Sequence, residues 1–199
     1  MTLSDLLAAR RMVRSFDGRA VPGDLLSELA TTALLSPTAG NSAGVRMTVV
    51  DQSRLAEYFS VATDDAWRRG APRAAGLMRA GGVVLITSRP QDYLARYSEP
   101  DKAESGLGDP QQWAIPYWHT DAAMATMSLL LLLEEHELVA TIWGNFRHEE
   151  NVLTWAGAGD ERLFATVLVG YPDGNDTPSA SLARPVPPRA KRVRRLSGD

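Results

Sequence analysis

Apolar positions recur along the chain at intervals that alternate between helical and extended. Leu3, Leu6 and Leu7 mark one face of a short helix running into Arg10 and Arg11. A second helix is predicted from Pro22, with Leu25, Leu26, Leu29, Ala33 and Leu34 at helical spacing. It must end by Ser36, because Pro37 pushes its predecessor out of the helical region. The small, polar stretch 38–44 reads as a loop and Val45 to Asp51 as a strand. Ser53 is the expected cap of a helix carrying Leu55, Tyr58 and Phe59. Gly81-Gly82 introduces Val83 to Thr87, a continuous apolar run suited to a strand covered on both faces.

Residues 88–116 are polar and rich in Gly and Pro, with Tyr93, Tyr97 and Trp113 among them. That is long for a connection, so a short helix and a functional role are expected there. Thr120 or Asp121 is the expected cap of the longest helix, which runs through Met124, Met127, Leu130 and Leu131 to Glu134. Its centre, Met127 to Leu133, is apolar all round except at Ser128, which points to a large core or, better in a domain this small, a subunit interface. A strand over Val139–Trp143, a helix over Glu149–Trp155 and a strand over Phe164–Val169 follow, closed by a turn at Gly170 to Gly174. Mixed helices and strands with helices in the majority predict a single α+β domain over 1–199 with a small central sheet.

The chain's 199 residues, 44% hydrophobic and 23% charged, fit one ordinary globular domain. It has no cysteine, which excludes disulfides, thiolate metal sites, iron–sulfur clusters and a cysteine nucleophile. The opening segment does not read as a secretory signal, and the longest apolar block, Leu129 to Leu133, is too short to span a bilayer. A cytoplasmic location is therefore expected. Charge is uneven: 183–199 carries Arg184, Arg189, Lys191, Arg192, Arg194 and Arg195 against Asp199 alone. That tail suits a phosphate-bearing cofactor, a wrapped partner or solvent; on so acidic a body it does not suggest nucleic acid.

Gly40-Asn41-Ser42-Ala43-Gly44 fits the G-x-S-x-G elbow of serine hydrolases, but that motif needs strand, turn, helix, and here the order is helix, loop, strand. Gly157-Ala158-Gly159 lacks the third glycine of a dinucleotide loop, and a strand follows it. His119, His136 and His148 have no metal-ligand spacing. Arg10, Arg11 and Arg14 are more informative. Three guanidinium groups so close repel one another unless they are solvated or share an anion, and phosphate matches their forked donors.

Four segments, taken in order, resemble the nitroreductase family of FMN-dependent oxidoreductases. They are Arg10 to Phe16; Ser36-Pro37-Thr38-Ala39-Gly40-Asn41; Ile142-Trp143-Gly144-Asn145-Phe146 after the long helix; and Gly170-Tyr171-Pro172 followed by Arg184-Pro185. The resemblance spans nearly the whole chain and implies an α+β sandwich, intertwined as a homodimer with FMN in the interface. On that pattern Arg10 and Arg14, with Arg11 and Met12 beside them, would hold the phosphate and ribityl chain. Pro37, Thr38, Ala39 and Asn41 would reach the flavin from the other subunit. Gly144 and Asn145 would offer backbone N–H groups to the ring, and Arg184 would return to the phosphate.

The sequence departs from the family at Met12, where a small polar residue is usual, at Ala43-Gly44-Val45 after Asn41, and at Glu137-Leu138-Val139, where a glycine pair is usual. The implied activity passes hydride from NAD(P)H through flavin N5 to a small organic acceptor such as a nitroaromatic or quinone. The cofactor carries the chemistry, so no catalytic side chain or metal is required. Two alternatives stay open: a flavin-sequestering protein with little turnover, and a deazaflavin-dependent reductase. Trp113, Tyr117 and Trp118 are candidates either for a substrate-facing lid or for core packing.

Overall fold

The computed structural model describes residues 2–145 and 147–196. Phe146, the last residue of the third family-like segment, and Ser197 to Asp199 lie outside the described residues. Four strands, β1 (Val45–Val50), β2 (Gly82–Ser88), β3 (Val139–Trp143) and β4 (Arg162–Gly170), form one antiparallel sheet in the order β1-β2-β4-β3. The helices are α1 (Leu3–Ala9), α2 (Gly23–Ala33), α3 (Leu55–Ala62), α4 (Asp65–Gly70), α5 (Ala74–Leu77), α6 (Pro90–Tyr97), α7 (Tyr117–Glu135) and α8 (Glu149–Ala156).

Helices cover both faces of the sheet. Leu26, Leu29 and Ala33 of α2 and Ala122, Ala125, Leu129, Leu130 and Leu133 of α7 pack with Val84, Ile86, Val167 and Val169 on one face. Tyr58 and Phe59 of α3, Leu77 of α5 and Val152 and Leu153 of α8 pack with Val83, Leu85 and Leu168 on the other. The alternation of β2 between these two clusters explains the apolar run Val83 to Ile86 within it, and all seven residues of the strand are buried. The expected small sheet flanked by helices is present.

Helix starts were read less well than helix bodies. Ser53 is not the cap of α3; Asp51 accepts from the Ser53 N–H and hydroxyl and so starts a short 3₁₀ turn over Gln52–Arg54 that leads into α3. Likewise α7 begins at Tyr117, right after Pro116, so neither Thr120 nor Asp121 caps it. Thr120 donates to the Tyr117 carbonyl at 2.9 Å, and Asp121 is buried with a different task, described below. α4 and α5 had no counterpart in the hydrophobic pattern; α5 is four residues long and α4 buries none of its residues. The polar segment 88–116 does contain a helix, α6, with Pro90 in its first turn, where a missing N–H costs nothing.

Candidate functional site

Residues from both ends of the chain build an open cleft of about 1110 Å³. Ser4, Leu7 and Ala8 of α1, then Arg10, Arg11, Met12 and Arg14, form one wall; Asp176, Pro178, Ser179, Ser181, Leu182 and Arg189 form the other. The first wall is fixed by backbone pairing. Met12 bridges Ala140 of β3, the Val13 N–H donates to the Ala140 carbonyl at 3.0 Å, and Phe16 bridges Pro172. Phe16 is fully buried and anchors the segment in the core. Side chains of the following turn complete the attachment: the Arg14 N–H donates to Asp176 Oδ1 at 2.8 Å and Ser15 Oγ to Asp173 Oδ2 at 2.6 Å. The Asp173 carboxyl is held below its usual pKa, chiefly by that Ser15 hydroxyl and by the Asn175 N–H.

The three arginines do different things. Arg11 is exposed and caps the end of α1, its Nη1 donating to the carbonyls of Ala8, Ala9 and Arg10. Arg14 donates from Nη1 to the Met12 carbonyl at 3.0 Å. Arg10 has Nε and Nη1 shielded from solvent without any hydrogen-bond partner. Buried charged donors without acceptors are costly. An anion in the cleft would remove that cost, so these residues fit a phosphate group.

The second group, Pro37, Thr38, Ala39 and Asn41, forms a loop on the other side of the molecule, leading into β1. The Ala39 N–H donates to Asp121 Oδ2 at 2.8 Å and Arg96 Nε donates to the Gly40 carbonyl at 2.9 Å. Gly40, Asn41 and Ala43 have φ of 61°, 56° and 51°. Ser42 donates to the Ala39 carbonyl, and the loop precedes a strand, which disposes of the hydrolase elbow.

Gly144 and Asn145 lie at the end of β3. Gly144 is exposed, whereas Asn145 is buried and points inward, its Nδ2 donating to the Tyr58 hydroxyl at 2.7 Å. Tyr58 in turn donates to Thr166 Oγ1 at 3.2 Å, and burial pushes its phenol up to about 12. This chain of hydrogen bonds fixes the turn after β3 to α3 and β4.

Arg184 is exposed and is not among the cleft-lining residues; Arg189, five residues on in the same tail, is. Both are exposed; the basic run made a tail arginine legible, but spacing alone does not say which one borders the cleft. Trp113 is buried, with Nε1 donating to the Leu107 carbonyl at 2.7 Å and its ring edge-on to Tyr93, Tyr97 and Tyr117. It packs the 88–116 segment together, while Ile115 and Tyr117 are the exposed apolar groups beside it. Asp121 was missed as a site residue because its place near the start of an apolar helix resembles a cap. Among the described residues no helix is long and apolar enough to cross a membrane.

The model of the nitroreductase family matches residues 7–171. No curated protein matches the chain. Among solved structures, a nitroreductase family protein from Streptococcus pneumoniae superposes with a TM-score of 0.73 at 18% identity, covering 98% of this chain and 100% of that one. A Desulfovibrio desulfuricans protein crystallised in complex with FMN gives a TM-score of 0.67 at 14% identity, covering 100% and 99%. A Staphylococcus epidermidis protein whose description names NAD(P)H:FMN oxidoreductase as its candidate activity gives 0.68 at 17%, covering 98% and 96%. At such identities the structural likeness concerns the fold, but the family match spans most of the sequence, and the chain belongs to the nitroreductase family.

Proposed function

We propose that the protein is an FMN-dependent oxidoreductase that works as a homodimer, with each flavin held between two copies. The observation carrying this reading is the shielded, unpartnered Arg10 guanidinium in a cleft shared with Arg14 and Arg189. Arg11, Arg14 and Arg189 line the same cleft, a concentration of cations that an anion would offset, and FMN brings a phosphate. Family membership and the FMN-bound relative support the choice of that anion.

In this reading Arg10, Arg14 and Arg189 hold the phosphate, with Met12 against the ribityl chain. The turn at Gly144 and Asn145 supports one edge of the ring, and loop 37–41 of a second copy covers another. When bound, FMN would supply the redox chemistry, taking hydride from NAD(P)H and giving it to a small organic acceptor such as a nitroaromatic or a quinone.

The layout of the sheet supports a second copy. Loop 37–44 leads into β1 at one edge and the arginine segment is paired to β3 at the other. Three interstrand spacings, roughly 14 Å, separate those edges within one chain. Exposed Leu3 and Leu7 of α1, Leu35 just beyond α2 and Met124 of α7 provide apolar surface for association on that helical layer.

The test is an absorption spectrum of protein purified with added FMN, before and after NADH or NADPH, followed by turnover with a quinone or nitroaromatic. Flavin retained and bleached by a nicotinamide is the expected result. A protein that takes up no flavin refutes the reading. Flavin that is held but inert to both nicotinamides refutes the proposed activity; bleaching by a reduced deazaflavin alone would reassign the electron donor.

A further inference from the structure

The buried carboxyl of Asp121 lies among apolar helix residues and is not used in holding the phosphate. It is 3% exposed, and Oδ2 accepts from two donors, the Ala39 N–H at 2.8 Å and the Tyr93 hydroxyl at 3.0 Å. Both donors belong to one assembly. Tyr93, Arg96 and Tyr97 stand three and four residues apart on α6, so they share a face. That face meets the loop at every turn. Arg96 donates to the Gly40 carbonyl, a Cβ at Gly40 would stand 3.0 Å from Tyr97 Cε2, and one at Gly44 would stand 2.3 Å from Tyr93 Cε2. Arg96 is braced in turn by Asp101, at 2.7 Å from both Nη atoms. Burial, the hydrogen bond to Asp121 and the charges of Asp121 and Asp92 all raise the Tyr93 pKa, so its hydroxyl remains a donor.

What is clamped is a strained turn. Asn41 and Ala43 hold left-handed backbone angles; asparagine tolerates them, but Ala43 has no side chain able to offset the strain locally. Such a conformation persists only where its surroundings over-determine it, and such sites cluster at ligand clamps.

We propose that Asp121 is a positioning residue: with Tyr93 and the loop-facing side of α6 it locks residues 38–43 in the shape in which they cover the flavin ring of a second copy. This rests on the FMN reading above. Segment 88–121 is then the frame of the ring-binding loop, while the arginine cleft serves the phosphate end separately. The two ends are distinguishable because riboflavin has the ring and lacks the phosphate.

The experiment measures FMN and riboflavin affinity by flavin fluorescence on the full chain, for wild type, Asp121→Ala, Asp121→Asn and Tyr93→Phe. Asp121→Ala leaves two donors unpaired and weakens both flavins by a common factor of about ten or more. Asp121→Asn keeps an oxygen acceptor and rescues binding to within about threefold. Tyr93→Phe, which keeps the ring and loses one bond, falls between. Equal affinities in wild type and Asp121→Ala overturn the proposal, as does a loss confined to FMN or an Asn variant as weak as the Ala one. Should Asp121→Ala not fold, unchanged flavin affinities in Tyr93→Phe overturn it.

Amide hydrogen exchange of flavin-free protein separates the two readings. A wild type that protects the Ala39 N–H yet binds neither flavin refutes the FMN reading and leaves the mechanical lock standing. An unprotected Ala39 N–H in wild type refutes the lock itself.

Discussion

Replacing Gly76 by Ala tests whether the arginine wall is held from behind. A Cβ there would lie 2.6 Å from the Arg14 carbonyl oxygen and 3.0 and 3.1 Å from Ser15 Oγ and Cα. Real Cβ atoms essentially never approach within 3.0 Å, so α5 and the Arg14–Ser15 backbone must separate by roughly 0.4 Å or more. The backbone cannot yield freely, because the Val13 N–H is tied to Ala140, the Arg14 N–H to Asp176 and Ser15 Oγ to Asp173. Overpacking of this kind costs about 1–3 kcal/mol. The gain in helix propensity on replacing glycine, about 1 kcal/mol, offsets part of it. Net destabilisation is then about 0–2 kcal/mol, a fall in Tm of at most about 8 °C at ~2–4 °C per kcal/mol for a chain this long.

The larger effect falls on ligand binding. On the FMN reading, displacing Arg14 would loosen a charge-assisted contact to phosphate worth about 1.5–3 kcal/mol, so FMN affinity should drop by up to about 150-fold. Riboflavin affinity should hardly change. Thermal melting gives the first quantity and flavin fluorescence titration the second. A folded Gly76→Ala protein with wild-type FMN affinity would refute the claim that α5 sets the position of Arg14.

Arg10→Ala should fold normally, since it removes shielded donors that lack partners, and should lower FMN affinity about 10- to 150-fold in the same titration, with riboflavin unaffected. Met124→Arg places a charge on an exposed apolar position of α7 and is expected to give a folded monomer without flavin, read by light scattering and absorbance. Leu130 is a poorer probe of association: it is 3% exposed within its own chain's core, so Leu130→Glu should unfold the protein. Tyr58, raised from 10.0 to about 12 by burial, favours the folded state fully below pH ~10 and loses that contribution as pH rises through ~12. Denaturant titrations across that window should therefore show an alkaline loss of up to about 2–3 kcal/mol that Tyr58→Phe reduces; an unchanged pH slope in the variant would contradict the assignment.

Periodicity carried the elements that bury the most surface. The strands at 45, 82, 139 and 162 and the bodies of α2 and α7 were legible because each sets several apolar residues on the core side. α4 and α5 were not, since helices this short have too few turns to display a period. Starts of helices were misassigned where several polar residues stand in line: Ser53 beside Asp51, and Thr120 and Asp121 behind Pro116. In the site, Arg10, Arg11 and Arg14 stand out by their proximity in sequence, and they share one cleft with Met12, which the family resemblance alone pointed to. Arg189 could not be distinguished from its basic neighbours, because the tail lacks any apolar rhythm that would say which side chain borders the cleft. Asp121 was invisible as a loop anchor because its partners, Ala39 and Tyr93, are 82 and 28 residues away.

The cleft joins residues 4–14 to residues 176–189, so its two walls are far apart in sequence and one is synthesised well before the other. Every strand of the sheet ends by Gly170, so the sheet is complete in sequence before the second wall begins at Asp176. On the FMN reading the phosphate is captured only by a chain that already holds its core, and a released chain truncated before Asp176 should display native sheet structure without retaining FMN.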